Sequence, residues 1–374
     1  MIELSGADDE LPVELLEAPG GFLWWYVDLI DKNGDGLVVI WSFGLPFLPG
    51  YANAARSGRF QLPVQRPSLN ISHYRAAKLD FYLLQEFDSR EVSWHREAQQ
   101  ATWRFGESRL RSAKCGDQHQ VQLDLRLDVP GMKWPAVVEL EARGPAVCGQ
   151  WESEITRFRP ETKRSVHDWR PLLCMGEGQG FLATSQGRVS VSGRAYHDRN
   201  GGCVPLHDIG IDWWAWGRVA TAEEEFVYFV LDDESGRRET VFLTVDARGV
   251  GRRLKRCRLG DEKMKKSLHG LRVWRSVTVY RDGDRWFDIR FDDLVDSGPF
   301  YARSIPRARD SRGRWHRGSA EFCDPQRIDL RRHRMLVQMR VHRRGGDNSM
   351  WLPLFSGPKK GRVRRLIRSL ASGR

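Results

Sequence analysis

Residues 22–43 read FLWWYVDLIDKNGDGLVVIWSF, and this stretch decides the fold class. Two aromatic and β-branched runs, FLWWYVDLI and LVVIWSF, flank Asn33-Gly34-Asp35-Gly36, where glycine tolerates the positive φ of a tight turn. The segment therefore predicts a tryptophan-rich β-hairpin. Asp31, Asn33, Asp35 and Gly36 also imitate the first half of a calcium loop, but the twelfth position is Ser42 rather than a bidentate glutamate. Strands flank it where helices belong, so no calcium site is expected.

The same patterning continues outward. SLNISHYR, KLDFYLLQ, QVQLDLRLDV and AVVELEAR follow within residues 68–150, and Val121, Leu123, Leu125, Leu127 and Val129 alternate with polar residues as in a strand with one wet face. Residues 51–66 are irregular and predict a loop or short helix at a barrel mouth. Later come EFVYFVLDDESGRRETVFLTVDARG, with its turn at Asp233-Glu234-Ser235-Gly236, and SVTVYRDGDRWFDIRF, with its turn at Asp282-Gly283-Asp284. RMLVQMRV near residue 338 reads as a last strand. Many short strands without βαβ alternation predict an all-β fold of barrels or sandwiches. The length of 374 residues suits two β domains, placed at 1–217 and 218–357.

Composition narrows the class. With 15 Trp, 17 Phe and 40% apolar residues the chain is not disordered, and a mean hydropathy of −0.53 speaks against an integral membrane protein. The acidic start lacks the basic head and apolar run of a signal peptide, and no segment reaches eighteen consecutive apolar residues, so a cytoplasmic location is expected. Six cysteines never fall in C-x-x-C spacing, which predicts reduced structural thiols rather than a zinc knuckle or disulfide framework. The net charge of +11 suggests an anionic neighbour. No zinc finger, helix-turn-helix or RNP-like motif accompanies it, so nucleic acid is not expected.

The tail at 358–374 carries seven Lys or Arg residues from Lys359 onward and no acid, with Val363, Leu366, Ile367 and Leu370 at i, i+3, i+4, i+7. It predicts a short basic amphipathic helix, suited to peripheral contact with an anionic membrane on its inner face. A solvated helix, or one docked on a barrel, accounts for the pattern equally well.

Chemistry is expected between Ser165 and Gly217. There is no G-x-S-x-G elbow, P-loop, H-E-x-x-H or strand–GxGxxG–helix unit. In an extended GRVSVSGRAYHDRN, Tyr196 and Asp198 face one side and His197 the other, and in HDW His167 and Trp169 share a face. If these strands are neighbours, the four side chains line one cavity. A carboxyl among aromatic walls has its charged form disfavoured and becomes a neutral acid. Indole and phenol faces stabilise a cation without trapping it as a nucleophile would. Acid plus aromatic wall is equipment for protonating an alkene. The plain alternative makes Trp169 and Tyr196 core and Asp198 a turn residue.

The phrases GGFLWWYVDLIDKNGDGLVVI, HDWRP, SGRAYHDRNGG, HDIGIDWWAWGR and GPFYARS resemble the carotenoid 1,2-hydratase (hydroxyneurosporene synthase) family, whose relatives include fungal Diels–Alderases. The resemblance covers roughly residues 19–305. It implies two lipocalin-like antiparallel β-barrels with a pocket at their junction, and hydration of a terminal C=C in an acyclic carotenoid or similar isoprenoid without a cofactor or metal. The implied roles are Asp198 as proton donor, Trp169 and Tyr196 as cation stabilisers, and His167 as an orienting or water-activating group. Trp24, Trp25, Trp213, Trp214, Trp216 and Tyr301 are then expected to form the substrate-binding wall, with His207, Asp208 and Asp212 supporting it. Two other functions use the same container: cyclisation of a polyene, of the Diels–Alderase kind, and non-catalytic carriage of an isoprenoid or lipid.

Overall fold

A computed structural model gives the fold of residues 2–4, 13–97, 99–149 and 167–371. Ser165 and Val166, the acidic start at 5–12 and the last three residues of the tail lie outside the described residues.

The hairpin forms as expected. Strands Phe22–Ile30 and Gly36–Phe43 pair from Leu23↔Phe43 to Ile30↔Gly36, and Gly34 takes a φ of 87° in the turn. The turn carboxylate Asp31 accepts the backbone N–H groups of Asn33 and Asp35, so it closes the loop on itself.

From this hairpin a mostly antiparallel sheet of fourteen strands builds in both directions. On one side lie Pro67–Arg75 and Lys78–Glu86. On the other lie the two long strands Gly187–Gly202 and His167–Thr184, then Ala136–Pro145 and Gln118–Leu127. The sheet curls around a dry core of alternating side chains, among them Trp25, Val27, Leu29, Trp41, Trp103, Leu123 and Leu125. A second sheet of twelve strands is built around Ile211–Ala220, which pairs with Glu224–Asp233 and Trp315–Cys323. It has its own core around Trp213, Tyr228, Trp274, Phe287 and Phe322. A third cluster fills the seam where Phe22–Ile30, Gly187–Gly202 and His167–Thr184 face Ile211–Ala220 and Glu224–Asp233.

The strand pairing fixes where each sheet takes its segments, and one expected strand is corrected. The change of sheet falls at the short 3₁₀ turn Leu206–Ile209, before residue 217, because Trp214 and Trp216 already pair within the second sheet. Residues 341–358 do not stay with that sheet: Val341–Arg343 and Gly357–Pro358 pair with Lys78–Glu86 of the first. RMLVQMRV is mostly a helix, Arg331–Gln338, because His333 and Val337 turn inward at i, i+4 while Met335 stays exposed. Only Val341–Arg343 is extended. The irregular stretch before Arg66 contains the short helix Tyr51–Arg56.

The tail forms the helix Arg362–Ala371. Its apolar residues do not act as one stripe. Leu366 is buried with Arg365, whose guanidinium donates to the carbonyls of Ser356, Pro358 and Lys360, whereas Val363, Ile367 and Leu370 are exposed. The cysteines are free thiols. Among the described residues no helix is long and apolar enough to cross a membrane.

Candidate active site

The site follows from strand alternation across the seam. In Phe22–Ile30 the odd residues Trp25, Val27 and Leu29 fill the first sheet's core, so Trp24, Tyr26 and Asp28 project into the seam. The next strand pairs Asn200 with Trp24, Asp198 with Tyr26 and Tyr196 with Asp28. The strand beyond pairs Trp169 with Asn200. His167, Trp169, Tyr196 and Asp198 thus share one face, but only His167 and Asp198 line the cavity there, Trp169 and Tyr196 being bound to Asp198 outside its lining, and His197 turns to the opposite side against His119.

Asp198 is the hub. Its Oδ2 accepts from Trp169 Nε1 and from the Tyr196 hydroxyl, each at 2.9 Å, and its Oδ1 accepts from Asn200 Nδ2 at 2.8 Å. Asn200 Oδ1 lies 2.9 Å from His167 Nε2, an arrangement in which the imidazole carries its proton on Nε2. His167 Nδ1 is then a buried acceptor without a hydrogen-bond partner among the described residues. Asp198 is 2% exposed, and burial pushes its carboxyl up to about 8. Donation from Trp169, Tyr196 and Asn200 pulls the other way, and the nearby Glu321 pushes up. Desolvation wins because no cation is paired with this carboxyl among the described residues. Burial also lowers His167 to about 4, so its ring is neutral.

Around this acid, Trp24, Tyr26, Trp214, Trp216 and Phe229 wall a cavity of about 20 Å³ that Asp198, Asn200, His167 and Glu321 also reach. The His167 ring packs edge-on against Trp24, Trp214 and Phe229 with centroids 5.3–5.7 Å apart. The volume is that of a single water site. On the far wall Glu321 is ion-paired with Arg303, whose guanidinium also donates to the Tyr74 hydroxyl and lies over the Tyr26 ring. Beside it, Asp28 is held by Arg218, which reaches across from the second sheet and also binds Glu225 at 2.6 Å.

The wall residues named from the sequence divide sharply. Trp24, Trp214 and Trp216 line the cavity. Trp25 and Trp213 do not: each sits one residue out of phase and packs inside its own sheet, Trp25 on Trp103 and Trp213 on Trp274. Tyr301 lines a neighbouring cavity of about 60 Å³ with Phe47, Tyr82 and Arg340, and Arg303 lies over its ring. Asp208 and Asp212 are about half exposed, the first paired with the largely buried His207 and the second with Arg272, so the two carboxylates stand at the surface rather than behind the acid. The sequence reading missed Asn200, Tyr26, Asp28, Phe229, Glu321, Arg303 and Arg218. Asn200 carried a signal, two residues beyond Asp198 on the same strand face. Glu321 and Arg303 come from distant strands and carried none.

A two-sheet β protein with a buried, aromatic-walled carboxyl at the seam is the class these features define, and solved structures share the architecture. A CghA crystal structure with Sch210972 superposes with a TM-score of 0.51 at 11% identity over 82% of this chain and 89% of that one. The lipocalin-like two-barrel fold expected from the sequence is thereby borne out. The family model described as Carotenoid hydratase CrtC matches residues 42–350, and the chain belongs to this family of hydro-lyases. A hydroxyneurosporene dehydrogenase of Chlorobaculum tepidum is 23% identical over 90% of this chain and 91% of its own length. An acyclic carotenoid 1,2-hydratase of Thiocapsa roseopersicina is 23% identical over 89% and 76%, respectively.

Proposed function

We propose that the protein adds water to a terminal C=C of an acyclic carotenoid or similar isoprenoid by acid protonation, with Asp198 as the acid. The observation that carries this reading is the Asp198 carboxyl, kept neutral by burial yet already surrounded by three donors. Proton transfer to the alkene forms a C–H bond and leaves a tertiary cation. The same event leaves Asp198 as a carboxylate, which Trp169, Tyr196 and Asn200 stabilise more strongly than the neutral acid, so their contribution grows along the reaction. The indoles of Trp24, Trp214 and Trp216 present their negative faces to the cation. Water held between His167 Nδ1 and Glu321 forms the C–O bond and passes its proton to the Glu321 carboxylate, and return of that proton to Asp198 closes the cycle. None of these steps calls on a cofactor. The cavity as folded admits a water, so an isopropylidene end group enters as the half-buried Trp24 swings aside.

Incubation with lycopene or neurosporene in liposomes is expected to give a product heavier by one water. Asp198→Asn should abolish it while substrate still quenches tryptophan fluorescence. A product of unchanged mass would point to cyclisation, and unaltered ligand with both proteins to a carrier.

The tail fits delivery of so apolar a substrate. Val363, Ile367 and Leu370 are exposed beside Arg364 and Arg368, and Gly131 of the loop bearing the exposed Trp134 backs onto Arg365. This face is suited to an anionic membrane surface. Because Arg365 and Leu366 anchor the helix, Val363→Glu with Ile367→Glu is the clean test. Co-sedimentation with anionic liposomes should fall several-fold, and unchanged partitioning would sink the idea.

A further inference from the structure

At the other end of the seam lies a second, larger cavity, about 390 Å³, that the acid chemistry does not use. Both sheets contribute: Lys32 and Arg194 come from the first, and Arg218, Arg307, Trp315 and Arg317 from the second. Five cationic side chains face it against one carboxylate, Asp31. That carboxylate is already occupied, since both of its oxygens accept from the hairpin turn.

The cations differ in how far their charge is answered. Arg218 is consumed by Asp28 and Glu225. Arg307 pairs with Asp292 and lies 5.5 Å from the Trp315 ring. Arg194 meets Glu177 only at 3.5 Å, on an exposed edge. Arg317 and Lys32 have no hydrogen bond or ion pair among the described residues. Arg317 is half-buried, and desolvation together with the neighbouring Arg307 holds its guanidinium below its ordinary range, against the opposing pull of Asp293, Asp31 and Asp292 at longer range. A concave space in which cations outnumber carboxylates, with a partly desolvated guanidinium that no hydrogen bond or ion pair engages among the described residues, attracts an anion.

The geometry points to this seam as a binding site for a phosphate-bearing anion, with the diphosphate of a prenyl diphosphate or the phosphate of a lipid headgroup as its two sources. Phosphate suits it better than a carboxylate. Guanidinium forks grip phosphate oxygens in pairs, and several cations converging on one space call for more than a single negative charge. The volume falls in the usual range for small-molecule sites, with room for a diphosphate and the first carbons of a chain against Trp315, Ile30 and Ala220. This inference stands apart from the hydratase reading, because none of its unpaired cations touches Asp198.

Calorimetric titration of the full chain with inorganic diphosphate tests it, with Arg317→Gln, Lys32→Gln and, as a control for general surface attraction, Arg248→Gln, a largely exposed arginine. Thermal melts report whether each variant is folded. Saturable binding is expected, weakened about 10-fold or more by Arg317→Gln, the worth of a charge-assisted contact, and less by Lys32→Gln. Arg248→Gln should leave it unchanged. Geranyl diphosphate binding more tightly than inorganic diphosphate would identify a prenyl diphosphate. Displacement of diphosphate by vesicles of anionic phospholipid, but not of phosphatidylcholine, would identify a headgroup. Failure of inorganic diphosphate to bind at millimolar concentration would overturn the proposal. So would equal weakening by Arg248→Gln, or affinity unchanged in a folded Arg317→Gln.

Discussion

Two regions served by the same strand differ in kind. Along Phe22–Ile30, the face bearing Trp25, Val27 and Leu29 enters a core of interlocking apolar side chains, and the face bearing Trp24, Tyr26 and Asp28 enters a seam that buries carboxyls, an imidazole and guanidinium groups. The barrel interior is filled, so it stores stability. The seam retains a cavity and a carboxyl whose charge is suppressed, the two features on which the proposed acid rests. A period of two residues is all that separates the roles, which is why adjacent tryptophans in WW have unrelated functions.

That contrast can be broken by substitution. The largest effect is expected at the hub of the seam: Asp198→Asn keeps shape and burial but removes the transferable proton. Hydration should fall by about 10²–10⁴-fold, the usual worth of a general acid. The melting temperature should hold. An active Asp198→Asn enzyme would remove the distinction between the faces. Next comes the neighbouring interior. Trp25→Ala opens a void in the first core and should lower unfolding stability in urea by about 3–5 kcal/mol. The folded fraction should keep its acid site, so activity per folded molecule changes little. The smallest effect belongs to residues outside both regions. Asp212→Ala removes an exposed ion pair with Arg272 and should alter stability by no more than about 0.5 kcal/mol, with turnover unchanged. A large loss there would extend the site to the surface.

Much of this arrangement was legible in local spacing. The hairpin, the alternation in QVQLDLRLDV, and the shared face of Tyr196 and Asp198 each need only the two-residue period. The same rule would have added Asn200. What spacing could not supply was phase against the core. Nothing local says whether Trp24 or Trp25 faces the seam, because both strand faces are buried and both are aromatic. Partners from remote strands, Glu321, Arg303 and Arg218, are set by how the sheets meet. RMLVQMRV misled because its apolar run satisfies both periods, and the inward-facing pair His333 and Val337 selects the helix. The tail's periodicity was read correctly, but local spacing left open whether the helix docks. Arg365 reaches carbonyls contributed by residues 356–360, so a basic residue together with Leu366, one member of the apolar stripe, anchors the helix.

The central claim is that the seam holds Asp198 as a neutral acid. Burial raises this carboxyl above its unfolded value, so the folded protein keeps a proton that the unfolded chain has already released. The group's contribution to stability is full below about pH 4 and declines as pH rises towards 8, and the acid needed for hydration is lost through the same upper limit. The most direct measurement is an infrared difference titration of wild type against Asp198→Asn, following the protonated-carboxyl band while the hydration rate is recorded at each pH. The account predicts a band present at pH 6, absent from Asp198→Asn, that disappears near pH 8 together with the activity. A carboxylate already ionised at pH 6, in an enzyme that still hydrates its substrate, would contradict it.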